Sequence, residues 1–336
     1  MRFTILWILA LVGSFGMMAQ NVTRIKASDS IYMLKGKGGN IAVNFGDDGV
    51  LVIDSQFAEA TPQVLATIRQ LSDKPIQFLV NTHHHGDHVG GNENFNKEGA
   101  IIYAHDNVLK RIQQKDRQEA SKAVEKAYQD GLEKAQKENM SEEEAGASAK
   151  RYASNIEKTF TFDYISPMIT FSENSTFYYN GEQIMLIHVH NAHTDGDTMI
   201  YFTESNVIHT GDAYVKGKYP YVDTKNGGSL DGYIAGLEKV MLLADEETVI
   251  IPGHGSLASI NDVKETHSMM KYLKDRVAYY YLTGKTLEEI LPLEDVAKTF
   301  DDKGFGGGFI STESFINMVY EAAKKKYKNK RGKPNK

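Results

Sequence analysis

The stretch FLVNTHHHGDHVGG, residues 78–91, decides how this chain is read. It begins as an apolar run of strand character, then places four histidines and one aspartate within six positions, 83–88. His83 and His85 are two apart, so both can face one way in an extended segment. Gly86 eases a turn, after which Asp87 and His88 follow. Neutral imidazoles beside a carboxylate at a strand end suit a divalent cation. A solvated polar loop is the bland alternative.

Three later stretches favour the cation. NAHTDGDT (191–198) places His193 after a strand, IHTGDAY (208–214) places Asp212 after another, and IIPGHGS (250–256) places His254 after a third. The carboxyl ends of strands are where α/β sheets gather ligands. With the first cluster this makes seven donors, too many for one tetrahedral ion and enough for two. His83, His85 and His193 then hold one metal; Asp87, His88 and His254 hold the other; Asp212 bridges through its two oxygens. The chain has no cysteine, so any metal rests on His, Asp or Glu, which suits zinc or a similar divalent ion.

Around these stretches the chain alternates strand, helix and strand, which marks an α/β domain. TPQVLATIRQLSDK (61–74) reads as a helix with Thr61 as N-cap and Pro62 at its first position. A hairpin turns at Asn180-Gly181. Residues 106–160, rich in Lys, Glu, Gln and Ala, read as a helical insertion with a thin stripe at Val124, Tyr128 and Leu132 and a capping box in SEEE (141–144). The insertion is either a cover over the site or a solvated appendage. Residues beyond 260 read as helical, with a floppy glycine stretch at Gly304–Gly308. The run 324–336 carries eight basic residues and no acid, which reads either as a solvated tail or as a weak contact for an anionic surface.

With 336 residues, 41% of them hydrophobic, the chain can build a substantial core. A net charge of −6 argues against a nucleic-acid partner. Residues 1–19, with Arg2, an apolar run and Ala19, have the layout of a signal peptide, the alternative being a membrane anchor. This gives an expectation of a periplasmic or secreted bacterial protein, spanning 20–323 as one domain, without a stable membrane span once the signal is removed. The oligomeric state is not readable.

The set H-x-H-x-D-H at 83–88, A-H-T-D-G-D at 192–197, T-G-D at 210–212 and P-G-H-G at 252–255 resembles the metallo-β-lactamase superfamily, over about 30–104 and 165–260. The resemblance implies a four-layer αββα sandwich with two zinc ions at one edge. It also implies hydrolysis by a metal-bridging hydroxide that Asp87 orients. Lactamases of the superfamily that use a cysteine carry it where Asp212 stands, and its iron-binding oxygen reductases usually carry a glutamate where His85 stands. The site therefore looks like that of the all-His/Asp hydrolases.

Other residues stay open. Asp54, ending the strand VLVID, either orients a ligand histidine or makes an ordinary turn. Lys216 either attracts a substrate carboxylate or is a loop lysine. Tyr219 and Tyr221 are candidates for the pocket wall. His188 and His190 read as core or supporting residues, His84 as supporting or exposed, His209 as structural, His105 as outside the site and His267 as surface. The expected function is an exported binuclear zinc hydrolase acting on a small-molecule lactam, lactone, ester or thioester. The rivals are a di-iron redox protein of the same fold and a metal-binding protein without turnover.

Overall fold

The computed structural model describes residues 22–157 and 166–331. The signal-peptide segment and the last five residues of the basic run lie outside the described residues.

The first sheet is built from β1 (Thr23–Lys26), β2 (Ile31–Lys35), β3 (Ile41–Gly46), β4 (Gly49–Ile53), β5 (Ile76–Asn81), β6 (Ile101–His105) and β7 (Ile169–Phe171), side by side in that order. Its first four strands pair antiparallel and the rest parallel. Between them lie α1 (Thr61–Arg69), α2 (Gly86–Val89), α3 (Asn92–Lys97), α4 (Asp106–Lys137) and α5 (Glu142–Glu157). The second sheet has β8 (Asn174–Tyr179), β9 (Glu182–His188), β10 (Thr198–Phe202), β11 (Val207–His209) and β12 (Val249–Ile251), in the order β12-β11-β10-β9-β8. Helices α6 (Leu230–Leu243), α7 (Ile260–Leu282), α8 (Leu287–Ile290), α9 (Glu294–Asp301) and α10 (Thr312–Tyr327) complete it.

Strand alternation explains the layering. In β4, Leu51 and Ile53 point to the second sheet and join Ile184, Leu186, Ile200 and Phe202. Val50 and Val52 point the other way, against Val64 and Ile68 of α1 and Phe95 of α3. The outer face of the second sheet packs Met199 and Ile250 on Leu237 of α6 and on Met269 and Leu273 of α7. The result is an αββα sandwich. A fully buried Val, Leu or Ile contributes roughly 1.5–3 kcal/mol relative to exposure, so three such apolar layers can hold a chain without disulfides.

Several local expectations hold. Asn180 and Gly181 both have positive φ, the requirement of the tight hairpin turn between β8 and β9. Ser141 and Glu144 exchange the hydrogen bonds of a capping box. Others need correction. Thr61 is the first residue of α1 rather than its cap, because a 3-10 turn at Ala58–Ala60 leads directly into the helix. The Gly304–Gly308 stretch is a packed turn whose Phe305 is buried, not a floppy one.

The insertion is a hairpin of α4 and α5. Its seam is not Val124, Tyr128 and Leu132, which are only half-buried. Ala127, Gly131 and Ala135 are buried instead, as are Ala145, Ala149 and Ala153 of α5. Small residues every four positions let two helices approach closely: a Cβ on Gly131 would lie 2.8 Å from the Ala149 Cα. A reading tuned to large apolar side chains passes over such a seam. The root of α4 is different, with Val108 and Ile112 packed on Val89 and Ala104. At the other end of the chain, α10 includes the first four residues of the basic run, and Lys326 pairs with Asp231 of α6. No helix among the described residues is long and apolar enough to cross a membrane.

Candidate metal centre

All seven donors named from sequence meet at one edge of the sandwich. His83, His85 and His193 bring ligand atoms within 4.8 Å of one another, and so do Asp87, His88 and His254. Asp212 lies between the triads. Its Oδ1 is 3.2 Å from His88 Nε2 and 3.4 Å from His254 Nε2, while its Oδ2 is 3.6 Å from His193 Nε2. That is the disposition a bridging carboxylate needs.

Each of these residues leaves a strand at its carboxyl end. His83 and His85 follow β5, and His88 sits in the one-turn helix α2 that Gly86 opens. His193 follows β9, Asp212 follows β11 and His254 follows β12. Backbone comes flush against two of them: a Cβ on Gly39 would collide with the His88 ring, and one on Gly253 with Asp212 Oδ1.

Four of the histidines donate their outer N–H to a fixed acceptor. His88 Nδ1 donates to Asp54 Oδ2 at 2.7 Å, His85 Nε2 to Asp223 Oδ2 at 2.9 Å and His193 Nδ1 to the Tyr221 carbonyl at 2.7 Å. Thr82 Oγ1 donates to Asp54 Oδ2 at 2.8 Å, which leaves its oxygen to accept from His83 Nδ1 at 3.1 Å. Such partners set the tautomer and turn the lone-pair nitrogen inward. The inward atoms are His83 Nε2, His85 Nδ1, His88 Nε2 and His193 Nε2.

These donors fit a pair of cations. His83 Nε2 is buried without a hydrogen-bond partner, which polar atoms in a folded core rarely are, and the buried His88 Nε2 and Asp212 Oδ1 face one another at 3.2 Å without a well-formed hydrogen bond. The protonation pattern agrees. Burial, with the neighbouring His88 and His193, pushes His83 well below its ordinary value, and burial pushes His193 down to about 4. Against burial, Asp212 and Asp54 lift His88 well above its ordinary value, and Asp212 and Asp87 lift His254 to about 9. Burial likewise opposes ionisation of Asp212, yet His254 and His88 hold it well below the carboxylate range. The cluster demands positive charge between its two halves, and without a cation only protons can supply it.

Asp54 thus orients two histidines, one in each triad, which resolves what the sequence left open. The other orienting carboxylate, Asp223, escaped the sequence reading. Its Asx-type turn in VDTKN (222–226), where its side chain caps Lys225 and Asn226, was the available signal.

A cavity of about 620 Å³ opens on the cluster, lined by His85, Asp87, His193, Asp212 and His254 at its floor. Its walls carry Phe57, Tyr219, Tyr221, Phe309 and Ile310, with Lys37 and Lys218. Lys216, expected near a substrate carboxylate, is not among the lining residues. It donates to the Leu257 carbonyl at 2.8 Å and pairs with Asp262. Gly217, at φ +67, reverses the chain so that Lys218 takes that side. Tyr219 is a wall, buried, with its hydroxyl donating to Asp301 at 3.0 Å and its ring stacked on Phe315. Phe309 is 92% exposed beside Tyr221, an apolar rim that nothing in the sequence flagged.

The remaining histidines stay off the floor. His209 is buried and bonded to the Asn40 carbonyl and the Gly211 amide. His105 donates to the Ser172 carbonyl and stacks on His188. His267 pairs with Glu238. His84 is buried rather than exposed, and burial pushes it down to about 3. No described residue of α4 or α5 lines the cavity. The root of the insertion still touches the ligand loop: Arg111 grips the Asp195 carboxylate with two hydrogen bonds, and Asn107 donates to the Asp195 carbonyl.

The chain is 25% identical over 260 residues to a linear primary-alkylsulfatase of Pseudomonas sp., covering 73% of this chain and 47% of the relative. It therefore spans about half the length of that curated relative. Among solved structures it is similar to the stereoselective inverting sec-alkylsulfatase Pisa1 from Pseudomonas sp., at 18% identity and TM-score 0.62, over 89% of this chain and 50% of that one. It is also similar to a metallo-β-lactamase from Pontibacter korlensis, at 15% identity and TM-score 0.53, over 75% of this chain and 99% of that one. The family model described as the metallo-beta-lactamase superfamily matches residues 35–254, from the end of β2 to the last ligand donor, and the chain is a member of that superfamily.

Proposed function

We propose that this protein is a binuclear zinc hydrolase that cleaves an ester-type or lactam bond in a small anionic molecule with an apolar part. The observation that carries the reading is the cavity itself. It joins a floor of metal donors to two lysines and a set of aromatic and aliphatic walls. When bound, two zinc ions supply Lewis acidity and bring the pKa of water towards neutrality.

The chain's own groups do the rest. His83, His85 and His193 form one cradle, Asp87, His88 and His254 the other, and Asp212 links them. Asp87 borders the cavity. Burial would raise its pKa, but the hydrogen bond from His254 and the charge on His88 hold it below the usual range. It is therefore a carboxylate at neutral pH, able to accept a hydrogen bond from the attacking water and aim it. Lys37 and Lys218 attract the substrate's negative charge, and Phe57, Tyr221 and Phe309 shield its apolar part from water.

Two substrate classes suit this frame. Carbonyl substrates, such as lactams, lactones, esters and thioesters, match the donor set. Alkyl sulfate esters form the second class, favoured by the similarity to two alkylsulfatases and by the pairing of apolar walls with lysines. An export signal in residues 1–19 would place the enzyme in the periplasm or outside the cell. The test is a hydrolysis screen of the zinc-loaded chain against a chromogenic cephalosporin, a lactone, a thioester, a nitrophenyl ester and a medium-chain alkyl sulfate. Turnover of one class that Asp212→Ala abolishes is expected. No turnover by protein shown to hold its metals would sink the hydrolase reading in favour of a metal-binding role.

A further inference from the structure

A second group of metal-capable side chains lies outside the central cluster and belongs to no step described so far. Glu173, in the corner between β7 and β8, His188, at the end of β9, and His190 bring ligand atoms within 4.8 Å of one another. The His188 and His190 rings are 4.3 Å apart, and His190 Nε2 is 3.7 Å from Glu173 Oε2.

His188 is the informative member. It is 94% buried and its Nδ1 has no hydrogen-bond partner. Its Nε2 donates to the Asp195 carbonyl at 3.1 Å, so the proton is on that nitrogen and Nδ1 carries a free lone pair. The ring is fixed from several sides. His105 stacks on it at 3.8 Å, the His188 amide donates to Asn174 Oδ1, and Lys239 donates to the His188 carbonyl. Burial pushes its pKa down to about 4, so it is a neutral imidazole at pH 7. A buried acceptor nitrogen with nothing to accept from is uncommon in a folded protein. Held rigid beside a second imidazole and a carboxylate, it is what a divalent ion requires.

We propose that Glu173, His188 and His190 form a second metal site, separate from the central cluster, for a zinc-class divalent cation. Two imidazoles and one carboxylate supply three ligands and leave a fourth position to water. The His190 and Glu173 side chains are 62% and 74% exposed, so the ion enters directly from solvent and is held less tightly than at the central cluster. Occupancy would tie the β7–β8 corner to the end of β9. Through the His188–Asp195 hydrogen bond it would also steady the loop that carries His193.

The test is a zinc titration of chelator-stripped full-length protein, read by calorimetry, for wild type, His190→Ala, Glu173→Gln and His267→Ala. The first two variants alter exposed side chains and spare the buried His188. His267 pairs with Glu238, away from the group, and serves as control. Wild type and His267→Ala should each bind one zinc equivalent more than His190→Ala, and Glu173→Gln should weaken that equivalent at least tenfold. The comparison is a difference, so it holds whatever number of ions the central cluster takes, and it does not rely on turnover. Equal zinc uptake by wild type and His190→Ala, with circular dichroism showing both folded, overturns the site. So does a wild-type affinity that Glu173→Gln leaves unchanged.

Discussion

Asp54 Oδ2 lies 2.7 Å from His88 Nδ1, and both side chains are fully buried. The same oxygen accepts the Thr82 hydroxyl, and through it Asp54 also fixes His83. One carboxylate therefore steers a ligand in each triad. It does so from a backbone at φ +66, in the left-handed region that Asn adopts at least as readily as Asp. Asp54→Asn keeps volume and backbone while removing the charge. We expect zinc affinity to fall roughly 10–100-fold, the usual loss when a ligand's outer partner is removed, with the fold intact. Competition against a chelating dye, with circular dichroism alongside, measures both. An affinity within twofold of wild type would show that Asp54 is only a turn residue.

The two lysines after the Asp212 loop make a paired test. Lys218 lines the cavity while its Nζ donates to the Gly304 carbonyl at 2.9 Å, whereas Lys216 lies off the cavity, on the Leu257 carbonyl and Asp262. For an anionic substrate, Lys218→Gln combined with Lys37→Gln should raise KM about tenfold and change kcat little, because charge attraction acts alike on ground and transition states. Lys216→Gln should leave KM alone. Equal effects would mean that long-range charge, not placement in the cavity, governs binding.

What the sequence revealed and what it hid divide along physical lines. The seven donors were legible because each stands where a strand ends, and strand ends are written locally in apolar runs and glycines. The same runs marked an α/β domain, and the αββα layering came from the resemblance that the ligand motifs carry. Partners that meet only through tertiary folding were not legible. Asp223 lies 138 residues from His85, and Arg111 lies 84 from Asp195. The place of Lys218 in the cavity wall was not legible either, because nothing local shows how Gly217, at positive φ, turns the chain. The seam of the insertion was missed because alanine and glycine leave no hydrophobic stripe, only room for close approach.

That seam predicts a division of labour within the insertion. Gly131→Leu forces a side chain into Ala149, and overpacking of this kind costs roughly 1–3 kcal/mol. The strain falls on the α4–α5 hairpin, whose outer part contributes nothing to the cavity lining. Hydrogen exchange in α5 should accelerate while zinc content stays at the wild-type value. Arg111→Ala should do the reverse: it frees Asp195, two residues from His193, and should speed zinc loss without opening α5. If Gly131→Leu strips the metals, the hairpin supports the site as a unit and the division is wrong.

The charge balance of the cluster predicts a peaked pH–stability curve for the metal-free protein. On the acid side, burial pushes His84 down to about 3 and His188 and His193 to about 4, and lowers His83 and His209 as well. Unfolding returns them to about 6.5, so between pH 4 and 6.5 the unfolded state binds protons that the native state refuses. Stability must then fall as pH drops through that range. Asp197, raised by burial to about 7, acts in the opposite sense, but one carboxyl is outnumbered by five imidazoles. On the alkaline side, His254 at about 9 and the raised His88 keep protons in the native state that the unfolded state has lost. The contribution of His254 is complete below pH 6.5 and disappears as pH rises through about 9, and that of His88 is lost as pH rises through its own raised value. The denaturation midpoint of apo protein should therefore be highest near pH 6.5 and decline on both sides. Zinc loading should remove the alkaline decline, because the ions take the place of the protons on His88 and His254, and should steepen the acid one. Urea titrations from pH 4.5 to 9.5, with and without zinc, measure both limbs. An apo protein as stable at pH 9 as at pH 6.5 would mean that His88 and His254 are neutral in the bare cluster, and that the charge demand inferred for it is absent.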